Sequence, residues 1–414
     1  MILSRNKLYP PRKLFLLSMF LWIVIYISSP FTPIQKLNLE WYFFVFICAL
    51  SFIIGTLLIK NLKYQFKIDK TVTLTKFYKF LILALSGLVL KIYDRFIIRG
   101  ISFNNLGLEN RELSELGSGN FIGMLGSLLA PLSYYTFYLL LKENYPIKKY
   151  LKFLIFTLPL LQILDTLALG SRSAFFIVIA LTFCILLSHN KLNFKLKNAF
   201  KFLIIITGIL ILLQVIFLKR TSEFIDEKDL KYTVMEMSGY NYTLETGQSI
   251  KNYIYANENT VSSILFTYVI TTKYYLHGLF ELNTLILDFD QPHQFGGYTF
   301  LLYNRLISKL TGNKLDESIF HIMPRNGIYT SFLGPIFVDF GWLSPLFLMI
   351  FGAFCQISFN KFILGRNEYA MIYVYLSVVI VFFPVFNFIS GANGLYTFSS
   401  FLFIRLLTKK PNNG

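Results

Sequence analysis

The chain contains ten apolar runs, each long enough to cross the hydrocarbon core of a membrane as a helix. That core is about 30 Å thick, a distance that a helix of roughly 20 residues spans. Hydrophobic residues make up 55% of the 414 residues and charged residues only 15%, a balance unlike that of soluble domains. We therefore predict an all-α integral membrane protein with a single polytopic domain over residues 1–414. The runs lie near 14–30, 40–59, 77–97, 121–141, 152–168, 172–188, 201–218, 336–359, 369–389 and 394–408.

Positive charge is concentrated in alternate connections between these runs, and this bias predicts the orientation of the chain. If the basic N-terminus is cytoplasmic, the inner connections carry 23 Lys and Arg residues and 3 acids, whereas the outer side carries 16 and 19. We expect about ten transmembrane helices with both termini in the cytoplasm. The inner lysines then act as anchors beside anionic lipid, so the net charge of +17 does not indicate a nucleic-acid partner.

The connection over residues 219–335 is by far the longest, and the orientation places it outside the membrane as a periplasmic loop. Its apolar piece 261–287 is interrupted by Lys273, His277 and Glu281. Counting this piece as an eleventh span would move the lysine-bearing connection at Lys361 to the outer side. We therefore expect helices that lie at the outer interface. Long ordered loops are usually functional, which makes the outer face the expected working face.

Arginine is used differently on the two sides of the predicted membrane. Lysine outnumbers arginine 19 to 4 on the inner side, but seven of the eleven arginines lie outside. Because the planar guanidinium binds phosphate or carboxylate oxygens in a bidentate manner, this preference predicts an anion site on the outer face. The outer arginines are Arg95, Arg99, Arg111, Arg172, Arg220, Arg305 and Arg325.

Two groups of cations stand at predicted helix ends. Lys91, Arg95 and Arg99 are spaced four residues apart at the outer end of the third run, which predicts one cationic helix face. Their alternative role is as interfacial anchors, paired in part with Asp94. Arg172 follows Gly170 and Ser171 at the start of the sixth run, where a helix N-terminus favours an anion. The alternative for Arg172 is an ion pair with Asp165.

Proton transfer has two candidates in the later part of the chain. His321 lies between Arg305 and Arg325 in the long loop, and an imidazole there is suited to act as a general base. Asp339 begins the eighth run, where an acid near hydrocarbon is a functional candidate by default. A structural salt bridge to an outer arginine is the alternative for Asp339. The three cysteines lie inside apolar runs and show no metal-ligand spacing, so we expect neither a metal site nor a cofactor.

Three short segments resemble one family. They run from Asp94 to Gly100, from Gly170 to Arg172, and from Tyr329 through Gly334 to Asp339-Phe340-Gly341. Together with about ten spans and a large late outer loop, they are similar to the Wzy-type O-antigen and capsular polysaccharide polymerases. The resemblance extends over nearly the whole length.

This resemblance implies a multi-pass, metal-independent glycosyltransferase of the bacterial inner membrane. The enzyme would transfer a growing glycan from one undecaprenyl pyrophosphate to a fresh lipid-linked repeat unit. Arg172 with Arg95 and Arg99 would hold one pyrophosphate, and Arg305 with Arg325 would hold the other or close over it. His321 or Asp339 would accept the proton of the attacking hydroxyl. A chain-length regulator is a further partner that the resemblance allows.

Two other functions compete with this expectation. An O-antigen ligase uses the same donor but transfers it to a lipid A–core acceptor, and deletion phenotypes separate the two enzymes. A flippase or transporter of lipid-linked oligosaccharide belongs to a different class. Transporters require a polar path through the bundle and often contain repeats. The nearly charge-free centres of the predicted spans argue against transport.

Overall fold

The computed structural model is mostly helical. It describes residues 8–60, 72–103, 105, 107–116, 120–143, 145–163, 172–189, 208, 230–237, 239–312, 319, 322–325 and 328–408. The first half of the described chain contains α1 (Pro11–Ser28), β1 (Phe31–Pro33), α2 (Leu39–Leu58), α3 (Leu74–Ile92), a π-helical turn (Tyr93–Ile98), α4 (Gly107–Leu116), α5 (Phe121–Leu129), α6 (Leu132–Lys142), α7 (Lys149–Leu161) and α8 (Arg172–Ser188).

The second half begins with a small unit that precedes a long helix. It contains α9 (Leu230–Met237), a 3₁₀ turn (Gly239–Tyr242), β2 (Leu244–Thr246), α10 (Gln248–Ala256) and α11 (Thr260–Asp288). The remaining elements are α12 (Leu301–Thr311), α13 (Leu333–Phe340), a 3₁₀ turn (Gly341–Leu343), α14 (Ser344–Ile363), α15 (Asn367–Val381) and α16 (Ala392–Thr408). The predicted run near 201–218 lies outside the described helices.

Within the described part of the chain, four helical stretches are long and apolar enough to cross a membrane: Pro11–Ser28, Leu39–Leu58, Phe121–Lys142 and Leu333–Ile363. Phe175–Ser188 and Asn367–Val381 are shorter apolar helices. The outward faces of these stretches are also apolar; on α2, for example, Phe43, Phe46 and Leu58 are exposed. Large apolar side chains that point away from the protein are stable against lipid rather than water. The fold is that of an all-α membrane protein, while the number of spans and their orientation remain predictions.

Helices α2 and α14 pack closely because each presents a glycine to the other. A Cβ atom added at Gly55 would overlap the main-chain oxygen of Met349, and one added at Gly352 would overlap that of Phe52. Where lipid surrounds the helices, association depends on such close packing rather than on a hydrophobic driving force. The close packing of α2 against α14 therefore depends on glycine at positions 55 and 352.

Helix α11 crosses one end of the bundle. The hydroxyl of Tyr268 donates to the carbonyl of Ser28 at the end of α1 (3.3 Å), and the indole of Trp41 on α2 donates to Leu279 (2.8 Å). Further along, the side chain of Asn283 accepts from the main-chain N–H of Asn38 (3.1 Å). From residue 268 to residue 283 the helix advances about 22 Å, yet these three partners all belong to the connection between α1 and α2 or its immediate ends. This geometry describes a helix lying across the bundle end.

A short antiparallel ladder fastens the segment before α11 to the same end of the bundle. Phe31 pairs with Thr246 and Pro33 with Leu244, joining β1 to β2. The N–H of Ile34 extends the ladder by donating to Thr243 (3.0 Å). The connection between α1 and α2 is thereby tied to residues more than 200 positions later in the chain.

Two predicted runs differ from the helices in the structure. The run predicted near 369–389 ends as a helix at Val381 and continues in turns to α16. Pro384 has no N–H for a helical hydrogen bond, and Asn387 accepts instead from the N–H of Ile389 (2.8 Å), which stabilises a turn. Likewise, the run near 121–141 divides into α5 and α6 beside Pro131.

Candidate functional site

The end of α3 carries a π-helical turn that changes the relative positions of its charged residues. The N–H of Arg99 donates to the carbonyl of Asp94 (2.9 Å), a bond that spans five residues rather than four. Arg99 consequently lies over Asp94 instead of over Arg95. The sequence predicted a single α-helical stripe of Lys91, Arg95 and Arg99. The extra residue in the turn shifts the last member of that stripe onto its acidic neighbour.

Arg95 and Arg99 are both anchored on α4. Arg99 donates from Nη1 to the main-chain carbonyl of Ser114 (2.5 Å), and Arg95 donates from Nη1 to the hydroxyl of the same serine (2.5 Å). The Nε of Arg99 lies 2.9 Å from Oδ2 of Asp94. The interfacial pairing with Asp94 that the sequence offered as an alternative is therefore present for Arg99. The two guanidinium groups are held at a defined spacing by one residue.

Asp94 is buried at the start of α5. It is 1% exposed, and the side-chain amide of Asn120 donates to its Oδ1. Asn120 also caps α5, because its Oδ1 accepts from the N–H of Gly123 (2.6 Å). A Cβ atom at Gly123 would lie 2.5 Å from the carboxylate, so any larger residue at this position would displace the Asp94 side chain. The N-terminus of α5 and the Arg99 guanidinium both lie beside the Asp94 carboxylate.

A small cleft, with a cavity volume of about 30 Å³, lies beside this cluster. Its lining combines cationic, neutral polar and apolar side chains. The residues that line it are Lys91, Ser127, Pro131, Tyr134, Gln162, Ile177, Val178, Asn393, Tyr396 and Thr397. They come from α3, α5, α6, α8, α16 and the end of α7.

Tyr396 links this cleft to the arginines. Its hydroxyl lies within electrostatic reach of Arg95, Arg99 and Arg305. Arg305 belongs to α12, which packs against α16 through a contact between the hydroxyls of Tyr303 and Ser399. Three guanidinium groups from two distant parts of the chain thus act electrostatically on one residue of the cleft lining. A multiply charged anion is the ligand that such a grouping favours.

Arg325 occupies a different position from Arg305. Its guanidinium binds both carboxylate oxygens of Glu281 on α11 (2.6 and 2.7 Å) and lies 4.1 Å from the ring centroid of Tyr242. Burial raises the pKa of Glu281, and Arg325 opposes that shift. The structure therefore groups Arg305 with Arg95 and Arg99, and places Arg325 in an ion pair with α11.

Asp339 is fully buried on α13. Its two oxygens accept from the main-chain N–H groups of Tyr298 and Thr299, both at 2.8 Å. The carbonyl of Asp339 also accepts from Phe295 (2.9 Å). These bonds hold the turn before α12, so Asp339 positions the segment that carries Arg305.

Two of the predicted site residues cannot be placed by their side chains. Arg172 begins α8, but its side chain and the preceding Gly170 and Ser171 lie outside the part of the chain that the structure describes. His321 also lies outside it. Their roles stay predictions.

The sequence reasoning missed Tyr396 and undervalued Asp94. Tyr396 stands in the first turn of the last apolar helix, beside Asn393, and polar residues at the start of such a run were a usable signal. Asp94 was treated only as a partner for cations. The π-helical turn that places it beneath Arg99 has no sequence signature that identifies it in advance.

Comparison with known proteins returned nothing similar to this chain: no protein-family model, no curated protein and no solved structure matches it.

Proposed function

We propose that this protein polymerises polyprenyl diphosphate-linked oligosaccharide repeat units into a polysaccharide of the O-antigen or capsule type. The observation that carries this proposal is that Tyr396, which lines a small polar cleft, lies within electrostatic reach of Arg95, Arg99 and Arg305. The apolar outward faces of the helices support a substrate that arrives through lipid. In the proposal the cleft faces the periplasm from the bacterial inner membrane.

The reaction moves one glycan between two lipid carriers. A hydroxyl group of the incoming repeat unit attacks the anomeric carbon of the growing glycan, and the bond from that carbon to the diphosphate oxygen breaks. The departing diphosphate takes the bonding electron pair and becomes more negative as the bond breaks. Guanidinium groups fixed beside it stabilise that developing charge more strongly than they stabilise the starting diester.

The attacking hydroxyl must lose its proton, for which the sequence offered His321 and Asp339. Both oxygens of Asp339 already accept main-chain hydrogen bonds, and the side chain is fully buried. We therefore assign the base to His321 and a positioning role to Asp339.

Complementation of a deletion strain tests this function. Wild-type protein should restore a ladder of long polysaccharide chains, whereas Arg305→Ala or Arg95→Ala should leave single repeat units on the acceptor. Removing one such charge-stabilising contact typically lowers a rate by about 10²- to 10³-fold. Arg366→Ala is the matched control, because Arg366 is an exposed arginine that precedes α15, away from the cleft.

Each outcome of that experiment is informative. Long chains in the Arg305→Ala strain would contradict the proposed site. Bare acceptor together with accumulated lipid-linked polymer would indicate a ligase, and accumulation of single units on the cytoplasmic leaflet would indicate a flippase.

A further inference from the structure

Arg99 is held by two fixed partners. Its Nε contacts Asp94 and one Nη1 hydrogen is donated to the carbonyl of Ser114. Contacts at two separate edges restrict the rotation of this planar group. Of the five N–H donors of a guanidinium, one on Nη1 is used in the hydrogen bond to Ser114, whereas the Nε–H makes an ion-pair contact without a hydrogen bond to any described residue. The side chain of Arg99 is 8% exposed, so the surrounding protein restricts it further.

Asp94 is itself fixed more firmly than an ion pair requires. The amide of Asn120, the start of α5 and the close approach of Gly123 all confine its carboxylate. A charged side chain that only anchored the end of a helix would not need these additional buried contacts. They define the position of the Asp94 carboxylate, and the carboxylate in turn orients the guanidinium plane of Arg99.

We propose that Asp94 is a positioning residue that makes the site selective for a diphosphate over a monophosphate. The proposal rests on the proposed function, since it assigns part of the same site. Ser114 holds the guanidinium groups of Arg95 and Arg99 at a fixed spacing. A diphosphate has two adjacent phosphoryl groups, one for each guanidinium group. A monophosphate has a single phosphoryl group and can fully engage only one of the two arginines. The negative charge of Asp94 weakens the general attraction for anions, so selectivity comes from geometry rather than from net charge.

Binding to purified full-length protein in detergent tests this role. The probes are farnesyl diphosphate and farnesyl monophosphate, measured by calorimetry. Wild-type protein should prefer the diphosphate by about tenfold or more, the effect of one additional charge-assisted contact. Asp94→Asn should reduce the preference to about twofold while monophosphate binding is kept or strengthened, because one negative charge is lost.

A double-mutant comparison identifies Arg99 as the residue through which Asp94 acts. Arg99→Lys should also abolish the preference, and the double variant should lose no more than either single variant. The proposal would be overturned if the losses of diphosphate preference in the two single variants multiplied in the double variant. It would also be overturned if Asp94→Asn kept the wild-type preference for the diphosphate. Asp288→Asn is the control, because that carboxylate is exposed at the end of α11.

A further variant, Asn120→Ser, separates an effect on ligand preference from an effect on folding. Asn120→Ser keeps a side chain that can cap α5 but removes the amide that contacts Asp94. It should lower the preference by about two- to threefold with little change in melting temperature. A lower melting temperature with an unchanged preference would show a purely structural role and refute the proposal. A wild-type protein with no preference at all would instead count against the diphosphate site of the proposed function.

Discussion

The guanidinium of Arg325 donates hydrogen bonds to both carboxylate oxygens of Glu281 and lies over the ring of Tyr242. Three segments far apart in the chain meet in this contact. The side chain of Glu281 is 2% exposed and that of Arg325 is 23% exposed, so the carboxylate is removed from water while the guanidinium keeps partial contact with it. The integrity of the pair should determine whether the segment that precedes α13 stays docked on α11.

Arg325→Ala should lower the free energy of unfolding by roughly 3–5 kcal/mol, because it leaves a buried carboxylate without its partner. Arg325→Met combined with Glu281→Leu should be considerably less destabilising. Unfolding in detergent, followed by tryptophan fluorescence, measures both. Normal stability with lost binding of farnesyl diphosphate would instead return Arg325 to the role that the sequence predicted for it.

Gly55→Ala should destabilise the protein by about 1–3 kcal/mol, because the added methyl group forces α2 away from Met349 on α14. Gly391→Ala is the matched control, since a Cβ atom at that position meets open space. The melting temperatures of the two variants in one detergent give the comparison. Equal melting temperatures would show that the helices can separate without loss of stability.

The free energy of unfolding should depend on pH through Lys273. Burial on α11, with Lys251 adding repulsion and Glu236 and Glu245 opposing it, lowers the pKa of Lys273 to about 8. The unfolded chain keeps the ordinary lysine value of about 10.4, so the folded state binds fewer protons between these values. Stability should therefore rise with pH across this window, by at most about 1.4 kcal/mol per unit, and this contribution should be constant below it.

Lys273→Met removes the titrating group and should flatten that rise. Melting temperatures of both proteins at several values from about pH 7 to about pH 10 give the difference curve. A difference that does not change with pH would show that Lys273 keeps its ordinary pKa in the folded protein.

Arg172→Ala should abolish chain elongation while the protein still inserts in the membrane, and Arg172→Lys should recover little, because an ammonium lacks the bidentate fork. Ladder length on a polysaccharide gel is the measurement, with membrane protein abundance as the reference. Chains of wild-type length in the alanine variant would remove Arg172 from the site.

Cysteine labelling tests the predicted orientation. In a background lacking Cys48, Cys184 and Cys355, Ser249→Cys on α10 should react with an impermeant reagent in intact cells, whereas Thr75→Cys on α3 should not. Both positions are exposed, so protection reflects the membrane rather than burial. The reverse pattern would place the cleft in the cytoplasm and contradict the proposed function.

Apolar periodicity predicted the positions of most helices, because helix length in lipid is set by hydrocarbon thickness. It failed where one residue decides the backbone. Pro384 ends α15 early, and Pro131 divides the fourth run, although both stand in strongly apolar surroundings. When hydropathy is averaged over a window of residues, a single proline hardly lowers the value. In the structure, however, the missing N–H of that proline interrupts the helix even in an apolar segment.

The sequence could nominate individual arginines of the proposed site, but it could not predict which of them lie near one another. Their excess on one predicted side of the membrane nominated Arg95, Arg99 and Arg305. Which of them meet depends on contacts such as Tyr303 with Ser399 and Tyr298 with Asp339, which join residues 41 to 96 positions apart. Spacing along one chain segment carries no information about such pairs.

Helix α11 restricts access to one end of the bundle. The ends of α1 and α2 lie under a helix of 29 residues that a β-ladder fastens in place. The residues that line the cleft belong to other helices, among them α3 and α16. A ligand that reached the ends of α1 and α2 would therefore have to displace α11 first.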